Sequence, residues 1–253
     1  VKWLEEREGP WFCYVPFTAV HTPIKAPQSW IDRYSDRVYD TDPSRDRSFK
    51  VYAAYASHMD AAIGRFMETL ARTCQLENTI VVFTSDNGAI PADPLHDTDQ
   101  YSGRHIEMPR LGSNLPLRGQ KSQLYEGGIR TPSLINWPFV LEPRKLTHPI
   151  QMVDWMPTFT NLIGYTPDHD PRWDGIDIWP LLSGETPRID RTMFWNFRGN
   201  GFAMRDGDWK LILDEREEPA KTELFNIGTD PYETRERASD HPDIVDRLTD
   251  MIR

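Results

Sequence analysis

Cysteine is nearly absent from this chain, with Cys13 and Cys74 the two in 253 residues. Two thiols cannot build a disulfide framework, and neither stands in a cluster at metal-ligand spacing, so a stapled mini-fold and a cysteine-based metal centre are both excluded. Cys13 falls in an apolar run and Cys74 near a predicted helix end, which predicts two buried free thiols. Long apolar runs are missing too: no segment approaches the roughly 20 residues a membrane helix needs. Positive charge is in short supply, 29 Lys and Arg against 39 Asp and Glu, for a net −10. That balance disfavours generic nucleic-acid binding, and an anionic substrate would need a locally basic site. No Asn-x-Ser/Thr sequon occurs, so nothing demands a eukaryotic secretory origin. The chain opens on Val1-Lys2-Trp3-Leu4-Glu5-Glu6 with neither an initiating Met nor a signal peptide. This opening reads as the last turns of a helix already under way, and the carboxyl-terminal part of a longer protein is expected. No internal repeat or low-complexity segment is found.

What the chain does have is the composition of a folded globular protein, 38% apolar and 27% charged residues, with length for one large domain or two. Its organising stretch is Asn78 to Gly88. Ile80-Val81-Val82-Phe83 is short, unbroken and rich in β-branched residues, as suits a strand of a parallel sheet covered on both faces. The run stops at Thr84-Ser85-Asp86-Asn87-Gly88. Ligands of open α/β sheets sit at the carboxyl ends of strands, where Asp86 and Asn87 would project their oxygens. Taken alone, Asp-Asn-Gly also reads as a plain turn.

Trp11 to Phe17 predicts a second buried strand, placing His21 just past its carboxyl end, with Pro23 stiffening the loop. Thr41-Asp42-Pro43-Ser44-Arg45 reads as a loop. From Phe49 to Ala71 the period is helical, with Tyr52, Tyr55, Ala56, Met59, Ile63, Phe66, Met67 and Leu70 on one stripe. Strand, helix and the Ile80–Thr84 strand would then form a crossover unit. Ala89 to Leu117 is a long aperiodic loop containing His96 and His105, for which solvated positions are expected. Leu117 to Pro132 carries two cations around a Gly, then Gly127-Gly128. It reads either as backbone folded tightly around something small or as a surface loop. Ser133 to Pro138 predicts a third strand and Gln151 to Gly164 an amphipathic helix stopped by glycine. Beyond Pro187, the runs Met193–Phe197, Phe202–Arg205, Trp209–Leu213 and Glu223–Ile227 predict an antiparallel meander with Asp206-Gly207 as a hairpin turn. A helix over Asp243–Ile252 closes the chain. The domains expected are residues 1–186 and 187–253.

His21, Asp86, Asn87 and Lys121 are the groups that carry chemistry. Carboxylate and amide oxygens suit a hard cation, Ca²⁺ or Mg²⁺. Lys121 and His21 supply positive charge and donors to a tetrahedral anion, as the cleavage of a sulfate or phosphate ester needs. The chain resembles the type I sulfatases, and among them the arylsulfatase B-like group. The matching stretches are Ala19-Val20-His21-Thr22-Pro23, Tyr52 to Leu70, Thr79 to Gly88, Leu117 to Arg130, Asp154-Trp155-Met156-Pro157-Thr158, Asp174-Gly175-Ile176-Asp177 and Glu223-Leu224-Phe225-Asn226. The run from Leu117-Arg118-Gly119 through Lys121 to Glu126-Gly127-Gly128 is the most specific of them.

The resemblance implies an α/β, alkaline-phosphatase-like sandwich, here a partial mixed sheet with flanking helices, followed by a small antiparallel sheet with a helix. It implies that Asp86 and Asn87 are calcium ligands and that His21 and Lys121 bind sulfate, His21 also donating a proton to the leaving group. It implies a sulfated carbohydrate or aryl sulfate as substrate and a periplasmic, lysosomal or extracellular location. Members of the family also carry a Cys or Ser, converted to formylglycine, well before the His. Neither Cys13 nor Cys74 has that setting, and Thr41-Asp42-Pro43-Ser44-Arg45 lies downstream of His21. The nucleophile, the paired N-terminal aspartates and the first Lys/His pair are therefore expected upstream of Val1, and this chain alone is expected to be inactive. Two other readings stand beside this one: a phosphate or phosphonate ester hydrolase of the same superfamily, and a non-catalytic sulfated-glycan binder using Trp173, Trp179 and Trp195 as exposed aromatics.

Overall fold

The computed structural model describes residues 1–91, 111–216 and 218–252. The chain forms two compact units, one of Val1–Ile80 with Gly88–Leu115, the other of Val81–Asn87 with Pro116–Arg253. Among the described residues no helix is long and apolar enough to cross a membrane.

The first unit is built on helices α1 (Lys2–Glu5), α2 (Gln28–Ile31) and α3 (Pro43–Arg72). The stretch expected to be a loop at Thr41–Arg45 instead starts α3. Asp42 accepts hydrogen bonds from the Ser44 and Arg45 amides at 2.8 and 3.4 Å, and Pro43 takes the first helical position, where its missing N–H is no loss. Val51, Ala54, Thr69 and Leu70 are the buried residues of α3. The predicted stripe from Tyr52 to Met67 is half-buried. Trp30 of α2 packs on His58 with ring centroids 5.2 Å apart. The start of the chain is tied to the end of α3, since Gln75 accepts from Trp11 Nε1 at 2.9 Å and donates to the Leu4 carbonyl at 3.1 Å.

Two further expectations fail in this unit. Trp11 to Phe17 is not a strand, and Phe12, Tyr14, Val15 and Phe17 are exposed. Side-chain pattern marks what a strand could bury, but a strand also needs a neighbour to complete its ladder, and the described residues provide none here. The crossover unit accordingly does not form. Cys13 and Cys74 are both free and both exposed rather than buried. Cys13 lies in this uncovered run, and Cys74 has a left-handed backbone, φ 55°, just past α3.

In the second unit, strand β1 (Val81–Thr84) leads through α4 (Glu126–Ile129) to β2 (Ser133–Asn136), with Phe83 opposite Leu134 and Thr84 opposite Ser133. The pair is antiparallel, and the parallel, doubly covered setting expected for Ile80–Phe83 is not seen among the described residues. Val82 and Ile135 pack on Trp155, Ile178 and Leu182, whereas Phe83 and Leu134 are exposed. Helices α5 (Trp155–Leu162) and α6 (Trp179–Ser183) follow. Then β3 (Thr192–Phe197), β4 (Gly201–Asp206), β5 (Trp209–Asp214) and β6 (Lys221–Asn226) form an antiparallel meander in sequence order, closed by α7 (Pro242–Ile252). The β4–β5 turn is Gly207-Asp208, one residue later than predicted, with Gly207 at φ 59°. Alternation sends Met204, Leu211 and Leu224 toward Ile244, Val245 and Leu248 of α7. The other face carries Ala203, Ile212 and Phe225, capped by Leu124.

Candidate active site

His21 belongs to the first unit. Its amide donates to the Thr18 carbonyl at 2.8 Å, and the peptide bonds Ala19–Val20 and Thr22–Pro23 are cis. Nδ1 lies 2.7 Å from the Thr22 carbonyl. A carbonyl can only accept, so Nδ1 carries the proton of this exposed residue's ring. His96 and His105 fall outside the described residues.

Asp86, Asn87 and Lys121 belong to the second unit. Asp86 Oδ1 accepts from the backbone N–H and Nδ2 of Asn87 at 3.0 and 2.9 Å, which turns both side chains into one corner just past β1. Because β1 and β2 are antiparallel, the carboxyl end of β1 lies beside the amino end of β2. The Asp86–Asn87 corner and the segment descending from Lys121 through α4 therefore run off the same end of the strand pair. The Ser85 amide donates to the Pro132 carbonyl at 3.4 Å across that end.

The loop carrying Lys121 is folded tightly against its own backbone. The Gly127 amide donates to the Arg118 carbonyl at 2.6 Å. A Cβ on Gly127 would meet the Arg118 and Gly119 carbonyl oxygens at 2.5 Å, and one on Gly128 would meet Gln123 O at 2.1 Å. Gly119 takes φ 84° at the opposite side. Lys121 itself is half-buried and has no ion-pair partner among the described residues.

The loop docks on the meander through charge. Lys210, the second residue of β5 and fully buried, reaches Glu126 Oε1 at 2.9 Å and Glu233 Oε1 at 2.8 Å. Burial pushes the Glu233 carboxyl above its ordinary value, with Lys210 pulling the other way. Arg118 donates to the Glu233 carbonyl at 3.1 Å and to Tyr125 Oη and Glu223 Oε1 at 3.2 and 3.3 Å, while its guanidinium stacks 4.1 Å from the Tyr125 ring centroid. Tyr125 donates to Glu223 and accepts from Lys221 at 3.0 Å. Desolvation, together with Glu223, raises the phenol pKa.

A second buried polar centre serves structure. Asp154, fully buried, accepts from the amides of Gln151 and Ile176 at 2.6 and 3.1 Å and pairs with Arg191. Thr158 joins the same two stretches, accepting from the Ile178 amide at 3.0 Å. The Asp154–Thr158 and Asp174–Asp177 stretches are thus staples of the fold. Of the aromatics expected on the surface, Trp173 is exposed, but Trp179 and Trp195 are half-buried against core clusters. Sequence reading missed Lys210, Glu233 and Arg191, and named Asp154 without its buried ion pair. The available signal was Lys210 itself, a charge in the phase of β5 that points with Ile212 into the core.

A sequence profile of the Sulfatase family matches residues 1–165. The chain is 29% identical to Arylsulfatase J of Mus musculus over 290 residues, covering 94% of this chain and 44% of that protein. It is 28% identical to N-acetylgalactosamine-6-O-sulfatase of Bacteroides thetaiotaomicron, covering 98% of this chain and 48% of that protein. The solved structure of Ps i-CgsB in complex with k-i-k-neocarrahexaose matches at a TM-score of 0.77 and 25% identity, over 99% of this chain and 51% of that one. The chain spans about half the length of these curated relatives. Its helices, strand pair and small antiparallel sheet have the alkaline-phosphatase-like fold of the sulfatase structures, and the chain belongs to the sulfatase family.

Proposed function

We propose that the polypeptide containing this chain hydrolyses sulfate esters of carbohydrates, with Lys121 and His21 acting on the sulfate and Asp86 and Asn87 holding a calcium ion. The observation that carries this reading is the common exit of the Asp86–Asn87 corner and the anchored Lys121 loop from one end of the β1–β2 pair, in a chain of the sulfatase family. The N-acetylgalactosamine-6-O-sulfatase relative and the k-i-k-neocarrahexaose complex favour a sulfated sugar over an aryl sulfate.

In this mechanism the Lys121 ammonium holds non-bridging oxygens of the sulfate as charge redistributes onto them. With Nδ1 committed to the Thr22 carbonyl, protonated His21 donates from Nε2 to the departing ester oxygen. Asp86 and Asn87 fit calcium by donor type, as two of the six to eight oxygens it takes. Among the described residues no group of three or more His, Cys, Asp or Glu completes a metal site. Bound calcium would neutralise charge on the sulfate oxygens. On this reading the remaining donors and a formylglycine nucleophile come from outside this chain.

The test is sulfate release from p-nitrophenyl sulfate and from sulfated oligosaccharides, measured for this chain and for the longest open reading frame containing it. Release is expected from the longer protein alone, abolished by chelator and restored by calcium. Faster cleavage of the matching phosphate or phosphonate esters would replace this reading with the sister chemistry. That chemistry is represented by a fold neighbour, a phosphonate monoester hydrolase from Silicibacter pomeroyi, at 22% identity and a TM-score of 0.56. Glycan binding without turnover by the longer protein would replace it with a non-catalytic binder.

A further inference from the structure

We infer that Glu233 and Lys210 are positioning residues that set the posture of the Arg118–Glu126 loop, so that the C-terminal sheet governs where the Lys121 ammonium stands. The functional meaning of that posture rests on the role proposed above for Lys121.

Glu233 grips both ends of the loop. Its main-chain oxygen takes Arg118 Nη1 at 3.1 Å at the start, and its Oε2 takes the Glu126 amide at 2.7 Å at the finish. The neck between these ends is closed by the Gly127 amide on the Arg118 carbonyl. Glu233 does this with a left-handed backbone, φ 55°, and a fully buried side chain. Non-glycine residues take that conformation when the surroundings over-determine it; here the constraint is that carbonyl and carboxylate must face one loop together. Lys210 then locks the grip to the thing gripped, since a single ammonium binds the carboxylates of both Glu233 and Glu126. It is held in turn by β5, paired with Arg205 of β4 and Phe225 of β6. At the tip, Lys121 has no ion-pair partner among the described residues, and the loop's posture places its charge. A triad that merely consolidated the meander would have no need to engage both ends of a loop more than a hundred positions earlier in the chain.

The experiment uses this chain with Lys210→Met, Glu233→Gln and Lys210→Arg. It reads amide hydrogen exchange by mass spectrometry over residues 118–126 and over β3–β6, together with the acylation rate of Lys121. Lys210→Met and Glu233→Gln are expected to speed exchange in the loop by roughly tenfold or more, with a change under about twofold in β4 and β5. Lys121 should label faster in both variants, and Lys210→Arg should recover part of the protection. Equal loss of protection across the meander and the loop, or an unchanged loop, overturns the inference. If the buried substitutions prevent folding, Arg118→Lys at a partly exposed position is read the same way: a loosened loop above an unchanged sheet supports the inference, and an unchanged loop overturns it. No turnover is measured, so a failure to find sulfate release would overturn the proposed function and leave this result standing.

Discussion

Arg191, the residue before β3, closes an enclosed ion pair on Asp154, the residue before α5, across 37 positions of sequence. Both side chains are almost wholly out of water, and Arg191 Nη2 also donates to Gln151 Oε1 at 3.2 Å. Removing one member strands the other charge in a medium that cannot solvate it. Asp154→Ala is expected to lower unfolding free energy by about 3–5 kcal/mol. The double variant Asp154→Leu, Arg191→Met should lose clearly less, because it leaves no orphaned charge. Urea midpoints of the two proteins check this.

Two glycines should respond to alanine with opposite signs. Gly128→Ala drives a methyl into the Gln123 and Gln120 carbonyl oxygens and should destabilise by about 1–3 kcal/mol. Gly64 lies inside α3, and a methyl group added there would meet nothing within 4 Å. At that position alanine removes only the backbone entropy penalty, for a gain of about 1 kcal/mol. Thermal melts of both variants against the parent chain give the signs directly.

Stability should fall on mild acidification through His148. Burial first, and then Arg191, Arg188 and Arg205, hold its imidazole below the ordinary value of 6.5. Its Nε2 is buried without a hydrogen-bond partner among the described residues. Below pH 6.5 the unfolded chain binds a proton that the folded chain refuses, so this contribution is complete above 6.5 and is lost as pH drops toward the depressed folded pKa. His148→Gln should flatten the difference in urea midpoint between pH 5 and pH 7.5.

If a polypeptide containing this chain releases sulfate as proposed, Lys121→Ala in it should cost about 10²–10³ in kcat/KM toward a sulfate ester, the usual loss for one donor to a developing anion. Lys121→Arg should not restore it, since a planar fork does not replace a point charge. His21→Ala should cost about 10²–10⁴ with a sugar leaving group. The loss should be smaller with p-nitrophenyl sulfate, whose leaving oxygen needs little protonation. Steady-state rates on the two substrates separate these outcomes.

The meander and the long helix were legible because their signals are local. β4 to β6 alternate with polar turns between them, and α3 repeats at three- and four-residue steps from Phe49 on, although its Asp42-Pro43 start reads as a loop. The Trp11–Phe17 run misled for a physical reason, since seven apolar residues state a capacity for burial but not which chain will cover them. The Asp86–Asn87 corner could be placed at a strand end because the strand and its stop are contiguous. The anchoring of Lys121 could not, because Lys210, Glu126 and Glu233 come together across separations of 84 and 23 positions, and the inward phase of Lys210 does not say which carboxylates meet it. Gly127-Gly128 was visible as a tight turn, but which backbone it approached was not, for the same reason.

The open setting of Cys13 and Cys74 makes the chain easy to instrument. Both sulfhydryls lie in the first unit and the second has none, so a maleimide dye or spin label would decorate one unit at up to two sites. The loop, the meander and the buried triad would stay chemically native under the same treatment, a built-in reference for any spectroscopic comparison of the two.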